Sequence, residues 1–204
     1  MLGLPQKTEL RKKLDKTLIY STFNLDKKQQ ALFDSDISLL YIVNDVSEYS
    51  TGIKKGENVS SIRVIQVKMK NKEYNDANIT RLFRLIDNKI ILLLEFQDEV
   101  QLVVYHLKLF KTDWHPRDDI KLTLSGLNMD TVYENIVTQI GDFQIQDGNT
   151  FEEQIVADEQ QAKLQKEIAR LEKQARAEKQ PKKKFELVSK IKFLNKQLSG
   201  LYND

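Results

Sequence analysis

Apolar residues recur at four-three spacing on both sides of a proline, and this rhythm constrains the C-terminal part of the chain more tightly than any other feature. Leu164, Ile168, Leu171 and Ala175 precede Pro181, and Leu187, Ile191, Leu194, Leu198 and Leu201 follow it. Such spacing lines each set along one stripe of a helix. Each arm holds only two to three heptads and is marginal as a lone helix in water, so the two are expected to pack on each other. Reflection about a centre between Lys182 and Lys183 pairs Leu164 with Leu201, Leu171 with Leu194 and Glu178 with Leu187. Pro181 suits the first turn of the returning helix, where a missing N–H costs nothing. The stretch AEKQPKKKFEL therefore reads as the tip of an antiparallel helical hairpin rather than as a nuclear address.

Charge singles out the same segment. The whole chain carries a net charge of +2, but residues Lys163 to Lys196 hold twelve Lys/Arg against four Glu, leaving −6 for the remainder. Arg170, Lys173, Arg176, Lys182, Lys183 and Lys184 are the candidate contacts for an acidic protein face or a phosphate backbone. A solvated helical surface is the competing reading of the same residues.

The preceding 140 residues alternate between helix and strand patterns. Leu2 to Leu14 reads as an extended start and then a short helix carrying Leu10 and Leu14. Asn24 or Asp26 is placed to cap a helix over DKKQQALFD, with Ala31, Leu32 and Phe33 on its buried side. ISLLYIV, residues 37–43, reads as a buried strand, and SEYSTGIKKGEN as a hairpin-type connection. Residues 62–69 alternate, with Ile62, Val64, Gln66 and Lys68 on one face and Arg63, Ile65, Val67 and Met69 on the other. A helix is expected from Asp76 to Ile86, then two strands, KIILLLEF and VQLVVYHLKLF, joined by a tight turn. Asp130 is placed to cap a helix over TVYENIVTQI. This order predicts an α+β fold around a largely antiparallel sheet over residues 1–140. A linker over 141–151 and the basic coiled-coil hairpin over 152–204 complete the expected organisation.

Few catalytic chemistries find their residues here. The absence of cysteine excludes disulfides, thiolate metal sites and cysteine nucleophiles, and two histidines make a histidine-rich metal site unexpected. No phosphate-binding glycine loop, nucleophile elbow or HExxH helix is present. Trp114 reads as a core plug, and Glu95 and Asp98 as the frame of a hairpin. One constellation points to an alternative activity. Asp45 closes one strand, Gln66 and Lys68 share a face of the next, and a helix and strand follow, as in PD-(D/E)xK nucleases that hold Mg²⁺ beside a scissile phosphate. The N-terminus lacks a signal-peptide core and no apolar run spans a bilayer, so a cytoplasmic protein without membrane contact is expected.

MLGLP, FDSDISLLYIVNDVS, VIQVKMK, ILLLEF, VVYHLKLFKTDW and DTVYENIVTQI, with the basic hairpin at the end, resemble domain-of-unknown-function family 4391 over nearly the whole length. The resemblance implies a bacterial or archaeal protein often encoded beside DNA methylases and helicases of restriction or phage-defence loci. It transfers no catalytic residue. The function expected is a non-enzymatic accessory or adaptor, without cofactor, that docks a protein partner through the hairpin. A DNA methylase, a helicase or a second copy of the chain are the partners considered, with non-specific nucleic acid as the other binding target. A Mg²⁺-dependent nuclease subunit using Asp45, Gln66 and Lys68 is the alternative.

Overall fold

The computed structural model describes residues 2–85, 89–146 and 148–200. The chain divides into two compact units, 1–144 and 145–204. In the first, β1 (Glu9–Leu14), α1 (Lys16–Thr22), α2 (Lys27–Asp36), β2 (Ile37–Ser47) and the short α3 (Glu48–Thr51) lead into β3 (Ser61–Met69). Then come α4 (Asp76–Phe83), β4 (Lys89–Phe96), β5 (Glu99–His106), β6 (Lys108–Lys111), the two-residue β7 (His115–Pro116) and α5 (Met129–Gly141). The strands form one mixed sheet in the order β1-β2-β3-β4-β5-β6, with β7 added to β5. Every pairing is antiparallel except β3 with β4, which α4 connects as a crossover. The fold is α+β.

The sheet is buried on both faces at its centre, which is why β4 reads as a continuous apolar run instead of an alternating one. One face carries Ile65, Val67, Leu92, Leu94 and Val103 against Phe33, Ile79 and Leu82 of the helices. On the other face α5 packs across β5, β6 and β3. Its Val132, Ile136, Val137 and Ile140 are buried, as are Ile62, Val64, Ile91 and Leu93 of the strands.

Several local expectations change. Residues 9–14 form an edge strand on β2, not a helix, because a short exposed segment gains more from backbone pairing than from an isolated turn. Asp26 does cap α2 in a capping box with Gln29, but Leu32 is 50% exposed and only Phe33 of the expected trio is buried. The segment VQLVVYHLKLF breaks at Leu107, whose φ of 58° turns β5 back into β6. The expected helical residue Ile86 lies outside the described residues.

Asp130 does not cap α5. Asn128 does, its Oδ1 accepting from the Thr131 N–H at 3.0 Å. The Asp130 carboxylate instead accepts the backbone N–H groups of Glu57, Asn58 and Val59 at 2.7, 3.1 and 2.7 Å, tying the loop before β3 to α5. Gly56 is required beside it, since a Cβ there would meet the carboxylate at 2.3 Å.

The second unit is a helical hairpin of α6 (Phe151–Ala177) and α7 (Pro181–Gly200). Thr150 and Glu153 form a capping box at the start of α6. The turn occupies Glu178–Gln180, so the fold-back centres on Lys179 and not between Lys182 and Lys183, and the exact pair positions shift accordingly. Ile168, Leu171 and Ala175 are buried along the seam and Leu187, Ile191, Leu194 and Leu198 are half-buried. The expected Leu164–Leu201 pair falls partly outside the described residues.

Candidate functional site

Two features of the molecule are candidates for function: a charged cleft at the end of the sheet and the outer surface of the hairpin. The cleft is built on the parallel pair. Parallel register sets Lys68 of β3 beside Glu95 of β4, and Gln66 shares their face two residues earlier. Lys68 and Glu95 sit near the carboxyl ends of their strands, and Gln66 lies one step inward, level with Leu93. The Glu95 side chain is only 12% exposed. Its Oε2 accepts from the Gln66 amide and, at 3.2 Å, from Arg117 Nη2, while Lys68 Nζ lies 3.7 Å from Oε1. Arg117 is delivered by β7, whose pairing with β5 is continued by the Arg117 N–H donating to the Asp98 carbonyl at 3.2 Å.

Burying such charges costs roughly several kcal/mol per ion unless they are paired, and here two cations and an amide surround one carboxylate. The walls come from the neighbouring strands β1 and β2. Asn44, fully buried, donates from Nδ2 to Thr8 Oγ1 at 2.8 Å, and Arg11 lies over the Tyr41 ring at 5.3 Å. The resulting cleft has a volume of about 600 Å³ and is lined by Glu9, Leu10, Arg11, Val43, Asn44, Gln66, Lys68, Glu95 and Arg117.

Asp45 does not reach it. A β-bulge in β2 puts Ile42 opposite Ile65 but Asn44 opposite Val64, so the in–out alternation inverts at Val43. Asn44 is thereby turned to the cleft face, and Asp45 to the opposite face, where Arg63 Nε lies 3.8 Å from its Oδ1. The positions opposite Gln66 and Lys68 are Tyr41 and Leu39, neither of them acidic. Among the described residues no group of three or more histidine and carboxylate side chains is arranged to hold a metal ion.

The hairpin carries the remaining candidates. Arg170, Lys173, Arg176, Lys182, Lys183 and Lys184 are all exposed. Arg170 is tied to Glu167 at 2.7 Å and Arg176 to Glu172 at 3.3 Å, both within α6. The bond from Arg170 holds the Glu167 carboxyl below the usual carboxylate range. Lys182, Lys183 and Lys184 follow one another at about 100° per residue, so they fan around the first turn of α7 and make no single patch. Lys183 lines an open groove between the arms with Gln174, Ala177, Glu178, Glu186, Leu187 and Lys190. On the side of α7 away from the seam, Phe185 and Phe193 are 73% and 62% exposed, with Lys182, Lys192 and Lys196 in the same arc.

A family model described as Domain of unknown function (DUF4391) matches residues 2–198. The chain belongs to this family. Comparison with the curated proteins and with the solved structures finds no match. No described helix of this DUF4391 chain is long and apolar enough to cross a membrane.

Sequence reasoning identified Gln66 and Lys68 as sharing a face, and the fold of this chain keeps them together. It missed Glu95 and Arg117, whose approach depends on strand register and on β7. It also missed the outward phenylalanines of α7, although both fall off the four-three stripe and were legible from spacing alone. Trp114 is half-buried against the core cluster, His115 is exposed in β7, and the His106 ring lies 5.8 Å from that of Tyr133.

Proposed function

We propose that this protein is a non-enzymatic accessory or adaptor that docks an acidic protein partner through the outer face of its C-terminal hairpin. The observation that carries the reading is the pair of exposed rings, Phe185 and Phe193, set among Lys182, Lys192 and Lys196 on the side of α7 opposite the seam. Lysines alone keep a surface solvated. Large apolar groups rimmed by one sign of charge are the signature of an interaction surface. The rings supply desolvated contact area, and the lysines supply steering and orientation toward an acidic face. The resemblance described above suggests a DNA methylase or helicase of a restriction or phage-defence system as the partner. A Mg²⁺-dependent nuclease is not advanced, because Asp45 and Gln66 lie on opposite faces of the sheet and lack the convergence that metal bridging needs.

The test is co-expression of the full chain with the methylase or helicase encoded beside it, followed by size-exclusion chromatography after nuclease treatment. Co-elution that the double variant Phe185→Ser/Phe193→Ser abolishes, with helix content retained, supports the reading. Co-elution unchanged by that variant removes the hairpin as the docking element. Self-association, or binding to random duplex DNA in place of the protein, assigns the surface to those partners instead.

A further inference from the structure

The cleft on the parallel strands is lined by residues of the first unit, and its chemistry points to a ligand. Open sheets bind ligands beyond the carboxyl ends of their parallel strands, and β3 with β4 is the parallel pair of this sheet. Lys68 and Glu95 stand near those ends, with Gln66 one step inward, on a face where Val64 and Leu93 are fully buried and apolar. The lining holds Arg11, Lys68 and Arg117 against Glu9 and Glu95, an excess of one positive charge. A volume of about 600 Å³ falls within the range of small-molecule sites. Leu10 and Val43 add apolar wall beside the charged floor.

The donor set selects against a divalent cation. Both oxygens of Glu95 already face donors, with Gln66 and Arg117 at Oε2 and Lys68 near Oε1, so a metal would have to displace two cations. An anion meets the opposite situation. Lys68 is 42% exposed and lies 3.7 Å from Glu95, beyond hydrogen-bond distance, so the carboxylate fixes the ammonium head without consuming its three donors. The Arg11 guanidinium carbon lies 5.3 Å from the Tyr41 ring centroid, and its side chain brings a planar fork of donors to the same cleft.

We propose that this cleft binds the phosphate group of a nucleotide-sized ligand, with Lys68 and Arg11 contacting the phosphate and Glu95 and Gln66 acting as positioning residues. Free nucleotides and the phosphodiester of a nucleic acid share that chemistry. The experiment titrates the full chain, in EDTA, with inorganic pyrophosphate by calorimetry and with a fluorescein-labelled ten-nucleotide oligothymidine by anisotropy. Lys68→Gln and Arg11→Gln are compared with a Lys182→Gln/Lys183→Gln/Lys184→Gln variant that discharges only the hairpin. Saturable binding of either probe that Lys68→Gln weakens about tenfold or more, and that the hairpin variant leaves within about twofold, supports the site. Pyrophosphate binding marks a free phosphate ligand, and oligothymidine binding alone marks a nucleic-acid strand. Circular dichroism checks that Lys68→Gln and Arg11→Gln remain folded, which their solvent-exposed heads predict. Absence of saturable binding, indifference to both cleft substitutions, or loss in the hairpin variant alone overturns it.

Discussion

Replacing Asp130 by Ala should unfasten the loop before β3 from α5, and Gly56→Ala should do so by a different route. The Asp130 carboxylate accepts three backbone N–H bonds, at 2.7, 3.1 and 2.7 Å, of which that from Val59 is the least exposed. A hydrogen bond to a charged group contributes about 1.5–3 kcal/mol when shielded, and less in water. Counting the Val59 bond near full strength and the two exposed ones as small additions, Asp130→Ala should cost about 2–3 kcal/mol. A Cβ at Gly56 would stand 2.3 Å from the carboxylate carbon, so Gly56→Ala must expel the side chain and break the same bonds. The two substitutions therefore share one loss, and the double variant should resemble the worse single variant instead of their sum. Urea unfolding followed by the fluorescence of Trp114, the only tryptophan and a residue of the first unit, reads this directly. With an m-value of about 2 kcal/mol/M, each variant should lower the midpoint by about 1 M. A double variant that loses close to twice the single value, or an Asp130→Ala midpoint within about 0.2 M of wild type, would refute the shared clamp.

Three further outcomes are expected. Burial alone would raise the Asp34 pKa, but hydrogen bonds from Lys16 Nζ and Tyr20 Oη outweigh it and hold the carboxyl below its ordinary value. This contact therefore contributes stability above the unfolded carboxylate pKa and loses it as pH falls through the lowered folded pKa. Asp34→Asn should flatten the acid limb of a stability–pH curve, and an unchanged limb would rule the contact out. Leu92→Ala, in the fully buried centre of β4, should cost about 2–5 kcal/mol in the same urea assay, whereas Leu127→Ala, at an exposed position, should cost less than about 0.5. If the hairpin instead grips a phosphate backbone, Lys182→Gln/Lys183→Gln/Lys184→Gln should reduce the log–log salt slope for random duplex DNA by about 0.9 for each lysine that engages, reaching about 2–3 only if all three do, which filter binding at several salt concentrations measures.

The sequence by itself determined the α+β class, the central strands and the helical hairpin, because each rests on local periodicity. Apolar runs of strand length and a four-three stripe report which face is buried before any tertiary contact is known. Pro181 likewise marked the returning helix through its own backbone chemistry, and α7 begins there. What lies in register across the sheet was decided only by tertiary structure. The bulge at Val43 exchanges the faces of Asn44 and Asp45, and no residue type in IVNDV announces it. The parallel pairing of β3 with β4 sets Glu95 beside Lys68, although 26 residues intervene, and the two-residue β7 carries Arg117 to the same carboxylate. Asp130 shows the same limit, since its place before a helix suggested a cap while its carboxylate serves a loop more than seventy residues away. Local patterns encode burial, which is a property of each segment. Sites are encoded by pairing between segments, and pairing is settled only when loop closure, bulges and packing choose one register from several that the same pattern allows.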